Sequence, residues 1–524
     1  MLAPDSPRAS RAAAWARLGE PWDILVIGGG VTGAAILFEA ARRGLRAAML
    51  ERADFASGAS SRSSKLVHGG LRYLKEGKLA LTRESVHERQ ALLRDAPGLV
   101  DPMRFLMPHY RGSKPSARTL GFGLALYDLF AGHRQHRALD ADEALRLVPT
   151  LDPVGLLGAH DYLDATTDDA RLVLRLIQEA RSAGAIALNY VEARELIERD
   201  GVVGGVHAVD GIEDTSADVH ARVVINAAGS AADALRTQIG ARAKLRPLRG
   251  SHLLIADWRL PLAQAVAFSH PRDGRPVFAY PWLGITLVGT TDIDHTESRS
   301  GEPTISESEA TYLLEALAHR FPASAIDRTD VIATFAGVRP VIESGRADPS
   351  KESRDSAMWN ERGMLTVTGG KLTTFRPMAM AALHAAAARL DSFDLAPRPT
   401  FTRAELPHAP HLSLADRRRL AGRYGASAQL LLDETPPSEH CPVDSTPTLW
   451  AELRWAARHE SVEHLDDLLL RRTRLGLIAP AVDLRWAARL RAICVQELFW
   501  ENARFEREAQ AYRALHAAYY GALA

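Results

Sequence analysis

Cysteine is nearly absent from the 524-residue chain: Cys441 and Cys494 are the only two. They are too few and too far apart for a disulfide scaffold or a Cys-x-x-Cys redox or zinc pair, and they suit a reducing compartment. With no His/Cys grouping of metal-ligand spacing, no metal is expected. No run of 18 apolar residues occurs, which excludes a membrane-spanning helix. An excess of one charge is also lacking, with 64 basic against 64 acidic residues. Nucleic-acid binding needs clustered positive charge, so no nucleic-acid partner is expected. Lysine is scarce, supplying seven of those 64 basic residues. The 46% apolar and 24% charged fractions exclude disorder. At roughly 150 residues per domain the length predicts about three to four domains. The expected location is cytoplasmic, either soluble or peripheral on the membrane face.

Residues 1–20 are rich in Arg and Ala but hold no apolar core of a secretory signal. Asp5 and Glu20 favour a frayed extension over a transit peptide. The sharpest composition shift falls at Pro397–Pro410, which contains four prolines. Before it, β-branched runs alternate with Ala/Leu-rich stretches. After it, Arg417–Arg423, Trp450–Leu470 and Leu484–Leu515 read as amphipathic helix. The chain therefore divides into an α/β body and a C-terminal helical domain.

Asp23–Ile27 reads as a buried parallel strand, followed at once by Gly28-Gly29-Gly30-Val31-Thr32-Gly33 and a helical stretch, Ala34–Arg43. Gly44 suits the helix end, Leu45–Leu50 a second strand, and Glu51 stands at its close. Gly28 makes the tight turn, Gly30 lets backbone approach a pyrophosphate, and Gly33 allows close helix–strand packing. The pyrophosphate sits on the helix N-terminus, and Glu51 accepts from a ribose hydroxyl. Two later segments point to the same ligand. Val223–Gly229 is an apolar strand ending in small residues, including Ala228 and Gly229. Met364–Gly370 is a strand entering a glycine pair, with a helix from about Thr373; Gly370, Leu372 and Thr373 are candidate cofactor contacts. Three segments far apart in sequence converge better on FAD than on NAD.

The residues able to do chemistry flank these segments. Lys371, the last lysine, directly follows Gly369-Gly370. There, a compact ammonium would lie near developing negative charge. Ser57–Tyr73 is rich in Ser and Gly, with Ser60, Ser63 and Ser64 as candidate cofactor contacts. It ends in His68, Arg72 and Tyr73, which have no linker role. Arg339 and Arg354 supply guanidinium forks suited to carboxylate or phosphate. Leu120–Phe130 is apolar between Arg111, Lys114 and Arg118 on one side and His133, Arg134 and Arg137 on the other. It reads either as a buried helix of the substrate domain or as a helix lying in a membrane interface.

From about Trp22 onward the chain resembles the flavin-dependent glycerol-3-phosphate dehydrogenases. The resemblance rests on Val26–Gly30, Ser63–Leu74, Asp168–Leu174, Arg249–His252, Val288–Asp292, Gly337–Pro340, Gly369–Thr374 and Leu468–Gly476. Arg249 and Val67 depart from the residues most usual in that family. The resemblance implies a glutathione-reductase-type FAD-binding Rossmann domain (20–100, 160–245 and 330–396). An interleaved mixed α/β substrate domain (101–159 and 246–329) and an all-helical C-terminal domain (397–524) complete the expected architecture. It also implies oxidation of sn-glycerol 3-phosphate to dihydroxyacetone phosphate by hydride transfer from C2 to FAD, with a quinone as electron acceptor. By motif position, Arg72 and Arg354 take the phosphate beside Tyr73, while Arg339 and Lys371 face the hydroxyl oxygen. His68 is a candidate base, with a hydrogen bond to backbone or cofactor as its equal alternative. A glycerol-3-phosphate oxidase using oxygen, an FAD-dependent amine or amino-acid oxidase, and a nucleotide sensor remain alternatives, and a homodimer is left open.

Overall fold

Trp22–Ile27 is buried along its whole length, as an unbroken apolar run requires when strands flank it on both sides. In the computed structural model, which describes residues 7–71, 74, 77–113, 116–132, 134–295, 301–345, 356–479 and 484–523, its two neighbours are parallel to it. Ala47–Leu50 pairs with Ile24 opposite Ala47, and Thr215–Asn226 pairs with Ile24 opposite Val223. Ile186–Leu188 extends the sheet on the first side and Met364–Gly369 on the second, both parallel. Ser356–Glu361 closes that edge antiparallel. Strand order thus reverses at Trp22–Ile27, opening a crevice at its carboxyl end, where Gly28–Gly30 lie. Helices Val31–Ala41, Asp169–Ser182 and Phe375–Ala386 pack together on this sheet, burying Ile36, Leu37, Val173 and Leu383.

A second, ten-stranded and mainly antiparallel sheet stands beside the first. Its long pairs are Val100–Tyr110 with Leu156–Thr167, and Leu245–Ala256 with both Val331–Ile342 and Ile285–Gly289. Helix Ala117–Ala131 lies against the first of these pairs through Leu120, Leu124 and Tyr127. Helices dominate from Leu414 onward. The mixed α/β body with a helical C-terminal region is the class expected from sequence.

Three local expectations need correction. Residues 7–16 form a helix, and Arg11 in it is buried, donating to Asp210 Oδ1 at 2.7 Å and to the Asn189 carbonyl at 2.9 Å. The described part of the amino-terminal stretch is therefore docked rather than frayed. Trp450–Leu470 is not one helix: it stops at His459, and Ser461 turns to a φ of 53°. The Asp467 carboxylate then accepts from the amides of Glu463 and His464, each at 2.9 Å, and nucleates a wide turn over Asp467–Arg472. Val462, Leu465 and Leu468 keep facing the core through the break, so the periodicity gave no sign of it. Leu484–Leu515 likewise divides at Phe499, φ 54°, between helices Leu484–Glu497 and Asn502–Tyr519.

Buried ion pairs join the helical region to the body. Arg472 and Arg471 both reach Asp54, Arg171 meets Glu460 at 2.6 Å, and Arg474 meets Asp168 at 2.9 Å. Burial opposes ionisation of Asp54, but the charges of Arg472 and Arg471 outweigh it and hold the carboxyl down at about 2.

Candidate active site

The glycine turn is shaped by contact with its neighbours. Gly28 has a φ of 111°, and a Cβ there would stand 2.5 Å from the Ala227 carbonyl oxygen at the end of the adjacent strand. A Cβ on Gly33 would fall on the Gly28 carbonyl oxygen and 3.2 Å from Val26 Cγ1, so only glycine lets the helix start this close to the strand. Gly30 is the N-cap of Val31–Ala41, and the Val31 amide donates to Ser60 Oγ at 2.9 Å. The other amides of this first turn lack intrahelical partners and face the crevice, as an anion site requires. The Glu51 carboxylate accepts from the amides of Gly29 at 2.6 Å and Ala53 at 2.8 Å. Each oxygen keeps a lone pair for a ribose hydroxyl. Burial pushes this carboxyl up. Ala228 and Gly229 stand at the end of the neighbouring strand, the Ala228 amide held by Asn226 Oδ1 at 3.2 Å. A pyrophosphate cradle and a ribose-binding acid next to it fit a dinucleotide such as FAD.

The segment from Ser57 to Leu71 runs past every other part of the site. Ser60 stands at the glycine turn, and the Arg62 carbonyl lies against Gly337, where a Cβ would come within 2.7 Å of it. Ser63 and Ser64 turn their hydroxyls to anchors rather than to the crevice. Ser63 Oγ donates to Asp169 Oδ2 at 2.7 Å, and Ser64 Oγ bonds His252 Nε2 at 2.9 Å. Lys65 is wholly buried between Asp169 (3.1 Å) and the Ser61 carbonyl (2.9 Å), over the ring of Phe335. Burial brings its ammonium down to about 8 despite Asp169. The Gly69 amide donates to Asp164 Oδ1 at 3.1 Å, and the His68 carbonyl accepts from Thr373 Oγ1 at 3.2 Å. His68 therefore meets the Gly369–Thr374 loop directly. In that loop Gly369 and Gly370 both have positive φ, Lys371 precedes a short turn, Thr373 is buried, and Leu372 packs on the body's core.

Arg339 projects from strand Val331–Ile342 and is held by the neighbouring strand at Gly250 and by the loop that follows strand Ile285–Gly289. Its Nη1 donates to Asp292 Oδ1 at 2.9 Å, and its Nη2 to Thr290 Oγ1 at 3.1 Å. The guanidinium lies flat over Gly250, where a Cβ would stand 2.6 Å from Cζ and 2.7 Å from Nη1. Two residues along that strand, His252 is fully buried and stacked on Phe335, with ring centroids 4.5 Å apart. Burial, then the charges of Arg339 and Lys65, push it well below the usual imidazole value, so it is neutral.

Of the expected substrate residues, Arg72, Tyr73 and Arg354 lie outside the described residues. Of the rest, His68 belongs to the 57–71 loop, and Lys371 and Arg339 stand on segments that pack against it. Sequence reasoning gave no role to Gly250, His252, Thr290 or Asp292, the groups that set Arg339 and Ser64 in place. Their signal was present in Arg249–His252 and Val288–Asp292, but those motifs carry no chemistry that can be read without knowing which strands pair.

Comparison with known proteins agrees with this geometry. Residues 23–386 match the family described as FAD dependent oxidoreductase, and residues 380–505 match the C-terminal domain of alpha-glycerophosphate oxidase. The chain is similar to the aerobic glycerol-3-phosphate dehydrogenase of Staphylococcus saprophyticus, at 32% identity over 484 residues. It is also similar to that of Staphylococcus haemolyticus, at 33% identity over 488 residues, and each comparison covers 87% of both chains. Among solved structures it resembles the glycerol-3-phosphate dehydrogenase from Bacillus halodurans complexed with FAD. That comparison has a TM-score of 0.78 at 28% identity and covers 98% of each chain. The chain therefore belongs to the FAD-dependent oxidoreductases, within the family of aerobic glycerol-3-phosphate dehydrogenases.

Proposed function

We propose that the chain oxidises sn-glycerol 3-phosphate to dihydroxyacetone phosphate and passes the electrons to a quinone. The observation that carries this reading is the 57–71 loop. It joins the pyrophosphate cradle at Ser60, the Arg339 strand at Arg62, and the Lys371 loop at His68. Bound FAD supplies a ring that accepts two electrons and a proton as hydride. Gly28, Gly30, Gly33, Ser60, Glu51, Ala228 and Gly229 would hold its nucleotide half, and Gly370, Leu372 and Thr373 its flavin half. Residues 20–100, 160–245 and 330–396 then form the cofactor unit, 101–159 and 246–329 cover the substrate, and 397–524 close over the body.

The substrate is a dianion near neutral pH, so binding it takes cations. Arg72 and Arg354 are assigned to the phosphate, with Tyr73 beside them. Arg339, locked by Asp292 and Thr290, presents a fixed edge to the C2 oxygen. As C2 gives up hydride, that oxygen becomes a carbonyl and its proton leaves. Arg339 and Lys371 stabilise the negative charge that builds on the oxygen, and His68 takes the proton. Anaerobic addition of glycerol 3-phosphate to the purified protein should bleach the flavin absorption band. An unchanged band, in a protein whose flavin is bleached by an amine or amino acid, would overturn the reading.

The acceptor reading is supported by helix Ala117–Ala131. Its inner side is buried, while Phe122 and Leu129 are 76% and 72% exposed with Ala125 between them. Exposed Arg111, Arg118 and Arg134 flank this stripe; Lys114 and His133 lie outside the described residues. No described helix is long and apolar enough to cross a membrane. An apolar stripe between cations can instead lie in a headgroup layer, where quinone is accessible. Flotation with anionic liposomes should carry the protein, and the F122S/L129S double variant should stay behind. Equal flotation of both would remove this contact. A second reading, oxygen as acceptor, is favoured by the C-terminal match to an oxidase domain. Stoichiometric hydrogen peroxide during turnover would establish it in place of quinone.

A further inference from the structure

Between a single turn at Ala59–Ser61 and the two-residue strand Leu66–Val67, the 57–71 loop is irregular, and Lys65 within it turns to a φ of 52°. Backbone of this kind is held in place where its side chains find anchors. Ser63 and Lys65 find Asp169, and Ser64 finds His252, all within the α/β body. Arg62 finds its anchor in Tyr520, 458 residues further along the chain.

The Tyr520 hydroxyl is fully engaged. It accepts from Arg62 Nε at 3.0 Å and from Arg62 Nη2 at 2.7 Å, and it donates to Glu302 Oε2 at 2.8 Å. Its one proton and both lone pairs are thereby used. Glu302 also pairs directly with Arg62 Nη2. Burial opposes ionisation of Glu302, but the Arg62 charge outweighs it and holds the carboxyl below its usual value. Burial pushes Tyr520 up to about 12, so its hydroxyl keeps the proton that it gives to Glu302. Arg62 and Tyr520 are buried, so an Arg62 donor released here has little water to turn to. Tyr520 reaches the active site a second time, through its backbone. The Thr334 amide donates to the Tyr520 carbonyl at 2.9 Å, and Thr334 Oγ1 to the Gly521 carbonyl at 3.3 Å. Thr334 lies on strand Val331–Ile342, which also carries Gly337 and Arg339. At Gly337 that strand meets the loop again, against the Arg62 carbonyl. The contacts close a circuit that runs from the strand at Thr334 through Tyr520 and Arg62 and back to the strand at Gly337.

We propose, resting on the oxidation assigned above, that Tyr520 is a positioning residue for hydride removal. From the C-terminal end it fixes Arg62, and through Arg62 it holds the 57–71 loop in register with the strand that carries Arg339. Without the Tyr520 hydroxyl, Arg62 keeps its pairing with Glu302 alone, and the loop can shift along the strand. Arg339 and His68, the groups assigned to the C2 oxygen and its proton, stand on these two segments. The bracket therefore sets their spacing, and its loss falls on the rate of hydride removal rather than on capture of the phosphate.

Tyr520→Phe in the FAD-loaded full chain tests this. Amide exchange in peptides covering 57–67 should speed up about tenfold, the scale of losing hydrogen bonds to a charged group, while peptides covering 28–41 keep their rate. In anaerobic stopped flow with sn-glycerol 3-phosphate, the limiting rate of flavin reduction should fall about tenfold, with the half-saturating concentration within about twofold of wild type. Glu302→Gln keeps an acceptor but removes the charge; it should show the same pattern more weakly, and it carries the test if Y520F does not fold. The neighbouring Tyr519 lines a hollow beside Ser306 and Arg328 instead, and Tyr519→Phe should match wild type in both readouts. Unchanged exchange over 57–67 in the folded variants, an unchanged reduction rate, or a loss confined to half-saturation would overturn the proposal. A wild-type flavin that glycerol 3-phosphate fails to bleach would refute the functional reading instead, and the exchange comparison would still decide whether Tyr520 holds the loop.

Discussion

Gly250→Ala is the cleanest test of how Arg339 is held. The added methyl would stand 2.6 Å from the guanidinium carbon and 2.7 Å from Nη1, against an ordinary contact of about 3.5–4.0 Å. The guanidinium must lift by about 1 Å. It cannot do so while keeping Asp292 Oδ1 at 2.9 Å and Thr290 Oγ1 at 3.1 Å, because both anchors sit on a neighbouring backbone segment. A 1 Å misplacement of a positioning group costs about 10²-fold in rate, and loss of one oriented donor to a developing oxyanion costs about 2.7–4 kcal/mol. The expected result is therefore roughly a hundredfold slower flavin reduction in an anaerobic single-turnover stopped-flow experiment. The resting flavin spectrum should be normal, since Gly250 lies away from the glycine turn. Gly204→Ala is the control: that strand glycine has nothing within 4 Å of the added methyl, and its variant should react at the normal rate. A G250A enzyme whose flavin is reduced within about threefold of the wild-type rate would show that the Arg339 orientation does not matter to the chemistry.

Gly33→Ala sets a methyl against the Gly28 carbonyl and should yield a colourless protein that takes up no FAD, judged by the flavin-to-protein absorbance ratio. Asp54→Asn leaves buried Arg472 and Arg471 short of their shared counter-charge. Breaking such a cluster typically costs about 3–5 kcal/mol, so the urea midpoint should fall and the C-terminal helices should become the first site of limited proteolysis. His464 is raised to about 9, first by its hydrogen bond to Glu508. Because the folded value exceeds the unfolded one, its contribution is whole below about pH 6.5 and is lost as pH climbs through about 9. The stability gap between wild type and His464→Gln, measured by urea titration, should be widest at pH 6 and closed at pH 10; a constant gap would refute the pairing.

The nucleotide turn is legible from the chain alone because its logic is local. Strand, Gly28–Gly33, helix, second strand and Glu51 fall within thirty residues, and the demand on Gly33 is set by Gly28 and Val26 close by in the chain, although the one on Gly28 comes from the distant Ala227 carbonyl. The two later strands are legible for a related reason: Val223–Ile225 is a buried, continuously apolar run, and Met364–Gly369, which carries buried Thr366 and Thr368, is read from the glycine pair that ends it. Helix breaks at Ser461 and Phe499 escape such reading, because apolar spacing persists across a break whenever both pieces bury the same side. The docking of Arg11 escapes it because its partners, Asp210 and Asn189, are about 180 to 200 residues away.

Sequence by itself determined the strand–glycine turn–helix unit whose helix N-terminus suits a dinucleotide, and which cations were candidates to meet the substrate. Only the tertiary structure decided which way Arg339 points, because Gly250 comes from the paired strand and Thr290 and Asp292 from the loop after a third, and no local pattern encodes which strands pair or in what register. It alone decided that Ser63 and Ser64 turn inward to Asp169 and His252, leaving Ser60 at the cofactor turn. The physical reason is range. Sterics and hydrogen bonding along the backbone act over a few residues, whereas the orientation of a buried charge is set by whichever counter-charge the packed fold brings within about 3 Å.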